Sequence, residues 1–127
     1  MNVALATSDQ RLKCNIKESQ ISGLDAINAI KLREFDWVQT GKHQEIGVIA
    51  DELEIIDKNL TFGGGYDEYG DMNIKGVDSF YLQGYEIKAI QELSQINEIQ
   101  EKEVQELKNM ILQLQGEISI LKQKAIP

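Results

Sequence analysis

A chain of 127 residues and 14.4 kDa is long enough for one domain and too short for two. Its 13 basic and 21 acidic residues leave a net charge of −8 and an isoelectric point near 4.6, a balance that repels phosphates and makes nucleic acid and anionic membranes poor partners. One Cys excludes an internal disulfide, and one Cys with one His cannot complete a structural zinc site. No apolar run approaches the ~18 residues a membrane span needs, and Met1–Thr7 is too short and uncharged for a signal peptide. The expectation is a small, soluble, acidic chain from a reducing compartment, or one indifferent to redox.

In chain order, Arg11-Leu12-Lys13-Cys14-Asn15-Ile16 alternates and predicts a strand with Leu12, Cys14 and Ile16 on a packed face. Ser22-Gly23-Leu24-Asp25 fits a helix start of the S/T-x-x-D/E kind, and Leu24, Ile27 and Ile30 follow at helical spacing. Glu34–Val38 alternates again, with Phe35 and Trp37 on the buried side of a strand, and Gly41-Lys42 is a turn. His43 beside it reads as a surface turn histidine. Ile46–Ile49 is a short apolar strand leading into a helical Ala50–Ile56. Phe62-Gly63-Gly64-Gly65-Tyr66, with Asp67, Gly70 and Asp71 behind it, reads as an exposed hairpin or flexible loop. No Gly-Lys-Ser/Thr follows the three glycines, which argues against a nucleotide loop. Asp67, Glu68 and Asp71 lack EF-hand spacing and read as solvated. The class is α+β with short elements and little hydrophobic core.

Composition changes near Tyr81. Residues 1–81 hold eight of the ten Gly and seven of the eight aromatics, whereas 82–127 are rich in Gln, Ile and Leu. In that second part Ile90, Asn97, Val104, Ile111, Ile118 and Ala125 recur every seven residues. Leu93, Gln100, Leu107, Leu114 and Leu121 follow each three residues on. This a/d pattern, kept over about five repeats, predicts a coiled coil. A helix from Leu82 to Lys124 would run roughly 65 Å, too long to bury its stripe against the ~80 residues before it. Self-association is the expectation, and an antiparallel helical hairpin is the alternative, with Gly116 as its strongest turn signal. Ile at a with Leu at d, and an Asn at a, favour two strands, while adjacent polar layers at Asn97 and Gln100 suggest register control at some cost in stability.

Ser8 stands five residues before Lys13, a spacing that a regular helix or strand points in different directions. A turn at Asp9-Gln10 would bring the two together. A Ser–Lys dyad needs a neutral amine as its base, and moving a lysine from about 10.4 to about 7 takes roughly 4–5 kcal/mol of desolvation or like-charge pressure. The acidic background opposes that shift, so activity would depend on burial through folding or assembly. From spacing alone the solvated turn is the plainer reading.

SDQRLKCNI, then LDAINAIKL, REFDWV and IGVIADELE, then DSFYLQGYEIKAIQEL running into heptads, together resemble the C-terminal intramolecular chaperone domain of endosialidases. That family occurs at the ends of bacteriophage tail spikes, tail fibres and neck appendages, and in some membrane-tethered eukaryotic transcription factors. The resemblance covers nearly the whole chain from Ser8, and S-D-x-R-L-K-x-N-I with I-G-V-I-A carries it. It implies a parallel homotrimeric coiled coil over 82–127, a globular chaperone and self-cleavage region at 8–81, and residues 1–7 as the remnant of an upstream client. It also implies that Ser8 is the nucleophile, Lys13 the general base and Thr7–Ser8 the scissile bond, with Asp9, Arg11 and Asn15 shaping the turn. Asn15 or backbone amides are then the oxyanion donors. The family's three strands override the two-strand inference, and its hairpin arm grips the client. Within the family the reading is a bacteriophage appendage protein, present in the host cytoplasm during virion assembly and lost from the mature particle after cleavage. No cofactor is implied, and the partners are the chain itself and its upstream client. Asp51-Glu52 stands where the family commonly has Gln-Glu, and the proline often found after that helix is absent; neither touches the dyad. The rival readings are a trimerisation cap with an idle dyad and a coiled-coil adaptor.

Overall fold

The computed structural model describes residues 7–125. It is a small α+β fold with two two-stranded antiparallel sheets, two short helices and one long C-terminal helix. In order these are α1 (Gly23–Ala29), β1 (Arg33–Asp36), β2 (His43–Gly47), α2 (Ala50–Ile56), β3 (Thr61–Phe62), β4 (Gly76–Val77) and α3 (Ser79–Lys124), with 3₁₀ turns at Gln10–Leu12 and Lys58–Leu60. The chain forms two compact units, one ending at Ile90 and the other beginning at Gln91.

Ser22 caps α1, its hydroxyl accepting the Asp25 N–H at 3.3 Å. β1 and β2 pair as a hairpin with Phe35 opposite Gln44 and Asp36 opposite His43, and an irregularity between Arg33 and Phe35 shifts the register. The turn is closed by the Trp37 N–H donating to the Lys42 carbonyl and the Gly41 N–H donating to the Trp37 carbonyl, at 2.8 and 2.7 Å. Gly41 supplies the positive φ, 69°. α2 falls on Ala50–Ile56 as expected, clamped to β1 by the Arg33–Glu52 pair at 2.6 Å.

The hairpin arm is present. Thr61 pairs with Val77 and Phe62 with Gly76, and a single bridge joins Tyr66 to Met72 beyond them. Gly63, Gly64 and Gly65 all take positive φ and bend the arm, with the Gly64 N–H donating to the Asn73 carbonyl at 2.9 Å. Asp67 closes the tip by accepting the Tyr69 and Asp71 N–H groups, both at 2.9 Å.

The core is small. Leu53 and Leu60, 1% and 0% exposed, are joined by Ala26 and Tyr85, with Ile27, Ile30, Val48, Ile56, Val77 and Leu82 packed around them. α1 reaches α3 through Gly23: a Cβ there would sit well inside contact distance of the Tyr85 carbonyl oxygen and the Ala89 nitrogen. Gly23→Ala is expected to lower unfolding stability by about 2–3 kcal/mol, since backbone atoms cannot step aside; urea titration at fixed protein concentration measures it.

A part-buried polar link borders this core. The Tyr85 hydroxyl donates to the Asp57 carboxylate at 2.6 Å. The bond raises the phenol to about 12, with burial adding to it. It also holds Asp57 below the usual carboxylate range, helped by the Asn59 N–H. A raised folded-state value stabilises the fold fully below the unfolded tyrosine's value of about 10 and is lost as pH rises towards about 12. A depressed Asp57 contributes above about 4 and is lost as pH falls through its folded value. Tyr85→Phe should therefore cost about 1–2 kcal/mol at neutral pH and flatten the decline above pH 10, as read by urea midpoints across a pH series.

Several expectations are corrected. Arg11–Ile16 is not a strand: Gln10–Leu12 is a 3₁₀ turn and no strand pairs with 13–22 among the described residues. Asn15 takes φ 52°, which breaks period-two alternation. Leu12, Cys14 and Ile16 are consequently exposed, not packed. The first strand ends at Asp36, leaving Trp37 half-exposed against the edge of Phe35. The second strand is centred earlier than Ile46–Ile49, so His43 opens a strand instead of lying in the turn.

α3 begins at Ser79, ahead of Leu82, and runs unbroken through Gly116, which excludes a helical hairpin with its turn there. Ile90, Leu93, Val104, Leu107, Ile111, Leu114, Ile118 and Leu121 are all exposed in the single chain. No helix among the described residues is long and apolar enough to cross a membrane.

Candidate functional site: the Ser8–Lys13 turn

Six consecutive residues, Ser8 to Lys13, build the site. Asp9 caps the 3₁₀ turn, its carboxylate accepting the Arg11 N–H at 2.9 Å. The Arg11 guanidinium returns to the same carboxylate, Nε to both oxygens at 3.1 and 3.2 Å and Nη2 to Oδ2 at 2.7 Å. Arg11 thus holds Asp9 below the usual carboxylate range, and Asp9 raises Arg11 in return. Backbone bonds tighten the turn, from the Leu12 N–H to the Asp9 carbonyl at 3.0 Å and from the Lys13 N–H to the Gln10 carbonyl at 3.1 Å.

The consequence is a reversal of direction within five residues. Lys13 leaves the turn extended, and its Nζ comes back over the start of the segment to donate to Ser8 Oγ at 2.6 Å. That is within reach for proton transfer between a hydroxyl nucleophile and an amine base. With the amine neutral, the same contact reverses its donor and Ser8 gives its proton to Nζ. Thr7, Ser8 and Lys13 are all exposed, so the pair is formed but not desolvated.

The structure brings Ser8 to Lys13 and Asp9 to Arg11. It does not bring Asn15 to the pair: among the described residues Asn15 makes no hydrogen bond to Ser8 or Lys13 and is distinguished instead by its left-handed backbone. Residues 1–6, taken as most of the client remnant, lie outside the described residues.

Other polar groups meet elsewhere without sequence warning. Lys75 on the arm binds Asp51 at 2.5 Å and Glu54 at 3.1 Å on α2. The two carboxylates hold Lys75 above its ordinary value, and Lys75 holds Asp51 below its own. His43 faces Asp36 through Nδ1 at 2.6 Å and Glu34 through Nε2 at 3.5 Å, across the β1–β2 pair. An open groove of about 820 Å³ lies between the β1–β2 turn, the start of α2 and the arm, lined by Phe35, Trp37, Ile49, Tyr66, Met72 and Lys75 among others. Neither Ser8 nor Lys13 lines it.

Residues 8–61 match the model of a peptidase family described as chaperone of endosialidase. The resemblance read from SDQRLKCNI and IGVIADELE is therefore real, and the matched segment runs from Ser8 through both short helices to the base of the arm. No curated protein matches the chain.

Proposed function

We propose that the chain is an intramolecular chaperone that assembles as a parallel homotrimer through α3, assists folding of the polypeptide preceding it, and then cuts itself free at Thr7–Ser8. The 2.6 Å contact between Ser8 Oγ and Lys13 Nζ carries this reading, and the family match beginning at Ser8 supports it. Neutral Lys13 takes the Ser8 hydroxyl proton while Oγ attacks the Thr7 carbonyl carbon. The Thr7–Ser8 C–N bond breaks as the Ser8 nitrogen takes that proton back from Lys13, leaving Thr7 as an ester on Oγ. Water then hydrolyses the ester, and Ser8 remains as a new N-terminus. Because nucleophile and target carbonyl belong to adjacent residues, proximity replaces much of the catalysis.

The same contact is exposed in one chain. A charged amine in water is no base, so cleavage waits on assembly to exclude solvent around Lys13. The arm at 61–77, bent at its glycines, grips the client. The reading favours a bacteriophage appendage, acting in the host cytoplasm during virion assembly and absent from the mature particle. The dyad's exposure also favours one rival, a trimerisation cap in which Ser8 and Lys13 stay idle.

Fusion to about 100 residues of the upstream chain separates the readings. Release of a fragment from a trimeric fusion, abolished by Ser8→Ala, supports the proposal. A trimeric fusion that stays whole, yet cannot fold without residues 8–127, supports the cap. A fusion that folds equally well without those residues leaves only a coiled-coil adaptor.

A further inference from the structure

We propose that a second copy of this chain docks on a seam of α3 that passes through Ile96 and not through Asn97. The inference rests on the self-association read above and revises where it happens. Strict heptads route the stripe through Ile90, Leu93, Asn97, Gln100 and Val104, which places two consecutive polar layers in the seam. The face through Leu93, Ile96, Gln100, Val104, Leu107 and Ile111 has intervals of three, four, four, three and four. Two fours in succession are a four-residue insertion into the heptad pattern, a stutter that locally unwinds the supercoil. Leu93 and Val104, 11 residues apart, return to within about 20° of each other on a straight helix.

Three observations favour the Ile96 face. Leu93 and Ile96 stand at i,i+3 on one face and are 45% and 39% exposed, against 66% for Ile90 and 57% for Ile99. At i+4 steps Ile96 heads Gln100, Val104, Lys108 and Leu112, apolar at three of the five positions. Asn97 instead heads the row Glu101, Gln105, Asn109, Gln113 and Glu117, polar throughout. That row is already knit along the helix surface, Gln105 donating to Asn109 at 3.1 Å and Gln113 to Glu117 at 3.4 Å. Rotating Asn97 into the seam drags the head of this polar row with it.

The occupant is another copy because the seam continues at heptad spacing from Val104 to Leu121. A standard interface takes about 800 Å² from each partner, and eight half-exposed aliphatic side chains offer apolar area of that order. One polar layer, Gln100, then sets the register, with the stutter beside it.

The test uses the full chain carrying Cys14→Ser, first by sedimentation. A monomer overturns self-association and this inference together. Given an oligomer, Ile96→Cys and Asn97→Cys are oxidised separately. The seam proposed here predicts efficient disulfide cross-linking through Ile96→Cys and little through Asn97→Cys. Equal or reversed cross-linking overturns the seam while leaving self-association intact. Melting supplies a second reading: Ile96→Asn should lower Tm by about 10 °C or more, and Asn97→Ile should move it by no more than about 2 °C. A large rise with Asn97→Ile restores the strict heptad frame and overturns this one.

Discussion

Leu60→Ala is expected to lower the stability of the fold by about 3–4 kcal/mol, and Leu53→Ala by nearly as much. Both side chains are closed off from solvent, at the junction of α2, the 3₁₀ turn behind it and the base of the arm. Truncation leaves a cavity that rigid neighbours cannot fill, and the cavity adds to the lost transfer energy. A loss of that size is severe here because so few large side chains are buried beside them. Domains of this size hold about 5–15 kcal/mol in all, so either substitution removes a large share. The measurement is the urea midpoint of Leu60→Ala against wild type, at one protein concentration so that assembly does not confound it. A drop under about 1 kcal/mol would place the core elsewhere.

The second large effect is chemical. In the upstream fusion, Ser8→Ala and Lys13→Ala should each reduce self-cleavage by at least ~10³-fold while leaving the oligomer intact. Ser8 Oγ lies 2.6 Å from the Lys13 amine, so alanine removes the attacking atom outright. Lys13→Ala leaves the attacking atom and removes its base. Lys13→Arg is no rescue, because a guanidinium stays charged and cannot take a proton. Asp9→Ala is milder: it frees Arg11 and loosens the turn without touching either partner. Rates from gel densitometry over time rank the four variants.

What was legible in the sequence follows the range of each signal. Ser22 and Asp25 lie three residues apart, and a cap needs nothing beyond them, so α1 was readable. The long α3 announces itself by its heptad period alone. The meeting of Ser8 and Lys13 was anticipated because the turn that makes it lies between them. Failures came where the outcome depends on partners far along the chain. Arg11–Ile16 has a strand's alternation but no strand to pair with among the described residues, and Asn15 turns the backbone out of register. The Lys75 bond to Asp51 spans 24 residues and Tyr85 to Asp57 spans 28, separations at which no spacing rule operates. Trp37 missed burial by one position, since β1 stops at Asp36; its ring meets Phe35 edge-on and its indole N–H donates to Gln44 Oε1 at 3.1 Å.

The most direct measurement is the intact mass of whatever an assembled fusion of client and chaperone releases. The account predicts one C-terminal fragment whose first residue is Ser8, formed by wild type and missing from Ser8→Ala. A fragment starting anywhere else, or a trimeric fusion that never divides, contradicts it.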